Sequence, residues 1–173
     1  MINIVLMNIQ LHMLKGLIVL FILSSTNLYA QKFRCNPEDL ANALLTALKS
    51  AKIDSFVALK PEVAQWRQIY PNETATLTDA QIYETAVLNP KLKQDFDNIM
   101  NSAKKNKVDL QKVEFKKLNK SNSDPVINVA QAFELVFTID GKEYLLAYSA
   151  LLHEGSYYLS EILISYDIFK KFK

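Results

Sequence analysis

The chain has 173 residues, half of them hydrophobic, with a formal net charge of +2, one cysteine and two histidines. One cysteine excludes an internal disulfide, and one thiol with two imidazoles falls short of the clustered ligands of a zinc site. A charge so near balance, with Arg34 and Arg67 as its arginines and no recognition motif, argues against nucleic acid as a partner.

Residues 1–30 hold no acid and one base, Lys15, followed by the apolar run Gly16 to Leu23 and the polar exit Ser24 to Ala30. A positive front, a short apolar centre and a small-residue exit are the parts of a signal peptide. The apolar run is well short of the roughly 20 residues of a spanning helix. The reading is a cleaved leader over 1–30, no stable membrane anchor after cleavage, and a single domain over 31–173 exported to the periplasm or beyond the cell. Met1 and Met13 both remain possible starts. The exported part, about 140 residues, is an ordinary domain length and can sustain a core without staples.

Helices come first. Asn36-Pro37-Glu38-Asp39 supplies a capping side chain, a proline suited to the first helical position and acids facing the positive end of the helix dipole. Leu40, Leu44 and Leu48 then form one stripe, ending near Lys52. A short helix is expected through Ser55 to Leu59, and another from Pro61, with Val63, Trp66 and Tyr70 at helical spacing and Pro71 closing it. A polar loop should run from Asn72 to Leu77. Thr78 and Gln81 have capping-box spacing, and Ile82 and Ala86 mark a buried side. Asn89-Pro90 repeats the opening signal before the stripe Leu92, Phe96, Ile99, Met100 and Ala103. Residues 91–120 carry nine lysines, read as a solvated helix face.

After residue 112 the apolar period changes to two. A strand is expected from Val113 to about Asn119, then a loop from Lys120 to Pro125. Asp140-Gly141 is a hairpin turn whose two central positions require positive φ. It sets Phe137 opposite Tyr144, Leu135 opposite Leu146 and Phe133 opposite Tyr148, all on one face, with Thr138 opposite Glu143 and Glu134 opposite Ala147 on the other. A second turn at Glu154-Gly155 has two possible registers. One pairs Leu152 with Tyr157, Ala150 with Leu159, and Tyr148 with Glu161; a one-residue slip instead turns Tyr158, Ile162 and Ile164 inward. The order predicts an α+β fold, with N-terminal helices packed on an antiparallel sheet of about four strands.

Ala47-Leu-Lys-Ser-Ala-Lys-Ile-Asp-Ser-Phe-Val-Ala-Leu59 resembles the exit of the first helix in nuclear transport factor two-like domains. Gly155-Ser-Tyr-Tyr-Leu159 is similar to their late strand, and Val108-Asp-Leu-Gln-Lys-Val113 to the approach to the first long strand in small exported bacterial proteins of that class. The resemblance covers roughly residues 36–165. It implies a cone in which a strongly curved sheet wraps the helices, a cystatin-like arrangement, often with a pocket at the open end. Its members include isomerases, dehydratases and cyclases as well as proteins that only bind; a fold does not choose among them. This chain lacks a recognisable acid–histidine pair.

The candidate pocket is the inner face of the sheet, lined by Trp66, Phe133, Tyr144, Tyr148 and Glu161. In the first register Tyr148 and Glu161 form a pair in which a carboxylate among aromatics has a raised pKa and serves as a base. In the slipped register Glu161 points to water and the aromatics are simply core. His153, in a turn, reads as solvent-facing. With no glycine-rich phosphate loop and no ligand cluster, no cofactor and no metal are expected. Tyr157, Tyr158, Tyr166, Ile168 and Phe169 are either an exposed surface for a homodimer or the end of the core. The functional expectation is an exported, non-catalytic binding module for a small apolar ligand or a protein partner. The alternative is a small isomerase-, dehydratase- or cyclase-like enzyme using Tyr148 and Glu161.

Overall fold

In the computed structural model, residues 35–120, 130–163 and 168–169 are described. The expected leader over 1–30 and its cleavage point, with Tyr166 and Ile164, lie outside them. Among the described residues no helix is long and apolar enough to cross a membrane.

Among the described residues the fold is α+β, six helices followed by one sheet. The helices are α1 (Pro37–Ser50), α2 (Ile53–Val57), α3 (Val63–Ile69), α4 (Pro71–Thr74), α5 (Asp79–Ile82) and α6 (Pro90–Lys105). A π-helical segment, Tyr83–Val87, continues α5, and a 3₁₀ turn, Leu110–Lys112, precedes the sheet. Four antiparallel strands follow in the order β1 (Glu114–Lys120), β2 (Ala130–Ile139), β3 (Lys142–His153) and β4 (Ser156–Ile162).

The caps read at Asn36, Thr78 and Asn89 form as expected, whereas the short helix expected through Ser55 to Leu59 runs instead over Ile53–Val57 and has no side-chain cap. Asn36 accepts from the amide of Asp39 while the Asp39 carboxylate accepts from the amide of Asn36, and Asn89 accepts from the amide of Leu92 at 2.7 Å. Thr78 and Gln81 close a capping box on α5. The expected loop from Asn72 to Leu77 is partly helical. Pro71 does stop α3, but its fixed φ and missing amide also suit a first helical position, and it opens the single turn of α4.

The first hairpin has the expected register: Phe133 opposite Tyr148, Leu135 opposite Leu146, and Phe137 opposite Tyr144. Phe133, Leu135, Phe137, Ile139, Leu146, Tyr148, Ala150, Leu159 and Ile162 form one buried cluster with Leu40, Leu44 and Leu48 of α1 and Ile99 of α6. Phe169 and Ile168 are buried in it, and Tyr158 is also buried. These described C-terminal residues therefore close the core. The sheet's other face has a smaller cluster in which Leu151 of β3 meets Trp66, Ile82 and Val87.

Both edge strands carry a bulge, between Phe115 and Lys117 in β1 and opposite Ser149 and Ala150 in β4. In β4 this resolves the two registers left open. Next to the turn the pairs are Leu152 with Tyr157 and Ala150 with Leu159; past the bulge they are Ser149 with Glu161 and Tyr148 with Ile162. Ser160 is the extra residue. It moves Ile162 into the core and takes Glu161 out of it, because one inserted residue exchanges the two faces of a strand.

Both hairpin turns place two residues at positive φ: Asp140 (49°) with Gly141 (73°), and Glu154 (48°) with Gly155 (74°). Ala51 ends α1 at φ 50°. Left-handed backbone disfavours residues with a Cβ other than asparagine and aspartate. Ala51→Gly and Glu154→Asn are each expected to raise stability by roughly 0.5–1 kcal/mol, read as a higher urea midpoint with an unchanged slope.

Candidate functional site

The five residues expected to line an inner-face pocket do not converge. The inner face is filled by α1 and α6, so its aromatics are packing. Phe133 stacks on Tyr148 with ring centroids 5.7 Å apart, and Tyr144 stacks on Phe137 at 5.8 Å with Phe169 edge-on at 5.3 Å. Among the described residues the buried Tyr148 hydroxyl has no hydrogen-bond partner, and burial pushes it above its ordinary pKa. The expected Tyr148–Glu161 pair is not formed, since the β4 bulge sets Ile162 opposite Tyr148. The Glu161 side chain is 44% exposed.

Trp66 and Glu161 do share a site, but at the outer edge of β4. There a cleft of about 290 Å³ is lined by Lys60, Trp66, Lys91, Asp95, Ser160 and Glu161, with Thr85, Ala86, Asn89, Leu92 and Ile162 completing it. Three segments meet: the approach to α3, the π-helical segment with the start of α6, and the bulged end of β4. Leu88 N–H donates to Tyr83 O at 2.7 Å, the five-residue spacing of a π-turn, a rare geometry found often at functional sites.

Two lysines hold this edge. Lys91 donates to Asp95 Oδ2 at 2.7 Å and to the Ile162 carbonyl at 2.9 Å, and its Nζ lies 3.1 Å from Glu161 Oε1. Lys60, 4% exposed, donates to the Ser160 carbonyl at 2.9 Å, with its Nζ 5.9 Å from the centroid of Trp66. Trp66 in turn stacks on Tyr70 at 5.4 Å, which fixes the plane of the indole.

The two ammonium groups are tuned in opposite directions. Burial lowers Lys60 from 10.5 to about 8; Glu161 opposes this, Lys91 adds to it and Asp95 opposes it. For Lys91 burial also acts downward, but its hydrogen bonds to Asp95 and Glu161 outweigh it and leave the group above its ordinary value.

Sequence reading named Trp66 and Glu161 and missed Lys60, Lys91 and Asp95. Asp95 did carry a signal. It lies three residues after Leu92 and four before Ile99, so it shares the apolar stripe of α6, where a carboxylate needs a partner. Lys91 is that partner at the i, i+4 position. Lys60 carried no local signal, because the carbonyl it serves lies 100 residues downstream. His153 sits away from this site, its ring nitrogen 3.0 Å from Gln68 Oε1. Among the described residues no group of three or more His, Cys, Asp and Glu side chains is placed to hold a metal ion.

No protein-family model, no curated protein and no solved structure matches the chain.

A buried amine with a lowered pKa makes the folded state bind fewer protons than the unfolded state between about 8 and 10.5, so this group's penalty fades as pH rises through that window. Lys60→Met removes both this penalty and the hydrogen bond to the Ser160 carbonyl, so the diagnostic is the pH dependence: the unaltered protein is expected to gain stability relative to the variant as pH rises from about 8 towards 10.5, measured by urea denaturation of both proteins across that range.

Proposed function

We propose that the protein is an exported, non-catalytic binding module of the nuclear transport factor two-like class that takes a small ligand in the cleft at the β4 edge. The leader composition supports export, and helices followed by an antiparallel sheet support the class. The observation that carries the binding reading is a buried lysine placed against the only tryptophan, inside a cleft with room for a small molecule. Surrounding a lysine with apolar groups costs stability, and here the penalty falls in a concave site.

The lining gives the ligand two parts. A flat or apolar part suits the Trp66 face, and a polar oxygen-bearing end suits Lys60. Asp95 and Glu161 are held by Lys91, so Lys60 is the amine that the ligand's oxygen meets. A catalytic reading based on Tyr148 and Glu161 has no such support, because the bulge separates them.

The single tryptophan makes the test direct. Small oxo acids and carboxylates titrated into the protein should include at least one that changes Trp66 emission saturably. Its affinity should fall by roughly tenfold or more in Lys60→Met, equivalent to about 1.4 kcal/mol, and be unchanged in Tyr144→Phe, which lies outside the cleft. A response indifferent to Lys60, or no response across the panel, removes the reading.

A further inference from the structure

The cleft contains two lysines in contrasting states. An ammonium has three N–H donors to place. Lys91 meets three oxygens, on Asp95, Ile162 and Glu161, and is satisfied as a cation. The Lys60 Nζ has one hydrogen bond among the described residues, to Ser160 O, and the face of Trp66 beside it. These surroundings suit an uncharged amine, which donates to one carbonyl and keeps a lone pair. The groups facing it are Glu161 from β4, Lys91 and Asp95 from α6, and Trp66 from α3. Burial above all, with Lys91 adding to it and Glu161 and Asp95 opposing, brings its pKa to about 8, against 10.5 for an ordinary lysine. Desolvated lysines of this kind are nucleophiles towards carbonyl groups.

From this contrast we infer that Lys60 captures small aldehydes or α-oxo acids in the cleft as a Schiff base. The inference rests on the cleft being the ligand site and names the chemical class it takes. The lone pair of neutral Nζ attacks the carbonyl carbon and forms a C–N bond, while the carbonyl π pair moves to oxygen and takes up a proton. The resulting carbinolamine loses its hydroxyl as water as the nitrogen lone pair forms the C=N bond. The carbonyl oxygen and two amine hydrogens leave as one water, and nothing is oxidised or reduced. Asp95 and Glu161, the carboxylates facing Lys60 from α6 and β4, exchange the protons.

The test uses the full chain, glyoxylate as the probe and sodium cyanoborohydride to reduce any imine to a stable secondary amine, with the adduct located by peptide mass spectrometry. At pH 7 Lys60 should be labelled roughly tenfold or more faster than exposed Lys93, with a rate that rises through a midpoint near pH 8. Lys60→Arg, with an unchanged circular dichroism spectrum, should lose the cleft adduct and keep the slow surface labelling. If that variant does not fold, the comparison of Lys60 with Lys93 in the unaltered protein decides alone. Labelling of Lys60 no faster than Lys93 overturns the inference. Trp66 emission, recorded with glyoxylate and with the panel of oxo acids and carboxylates, then separates the two failures: a saturable change without an adduct leaves the cleft as a binding site and removes only the covalent step, and no change across the panel removes both.

Discussion

An edge strand leaves a row of amides and carbonyls without a neighbouring strand, and each one buried without a partner destabilises the fold by about 1–3 kcal/mol. In β4 this requirement organises the surrounding chain. Leu159 N–H donates to the Leu59 carbonyl at 2.8 Å, Lys60 serves the Ser160 carbonyl, and Lys91 serves the Ile162 carbonyl. The link between α2 and α3 and the first turn of α6 are thereby drawn to the same edge. The cleft is the space left between segments that meet to satisfy one strand.

The bulge at Ser160 is the other half of that arrangement. Without the extra residue, Glu161 would continue the inward row of Tyr157 and Leu159 and bring a carboxylate against Tyr148. With it, Ile162 fills the core and Glu161 reaches Lys91 at the cleft wall. The same bulge frees the Ser160 carbonyl for Lys60. One inserted residue thus places both the acid and the lysine's acceptor on the cleft side, while leaving the main core apolar around Tyr148. Lys60 sits where its charge is poorly supported, and the stability forgone there is of the kind that functional sites carry.

Much of this fold was legible in the sequence, for local reasons. A capping side chain reaches its own helix's first amides within three residues, so Asn36, Thr78 and Asn89 mark helix starts wherever the rest of the chain goes. A two-residue turn with both positions at positive φ locks the pairing that follows, so Asp140-Gly141 was enough to set Phe133, Leu135 and Phe137 opposite Tyr148, Leu146 and Tyr144. Glu154-Gly155 did the same only as far as Leu159. Beyond it come Ser160 and Glu161 and then Ile162 and Leu163, two polar residues followed by two apolar ones, so the alternation that normally enforces register is lost. The sequence was ambiguous at the place where the structure inserts its bulge.

The site followed the same division. By itself the sequence determined an α+β order, the caps, the first hairpin's pairs and the presence of Asp95 on an apolar stripe, because each depends on residues only a few positions apart. Only the tertiary structure decided that the inner face is filled, that Tyr148 and Glu161 part company, and that Lys60 is buried beside Trp66. Those outcomes depend on which segments cover which face and edge of the sheet. Burial of a side chain by a strand 100 residues away leaves no trace in the pattern around it.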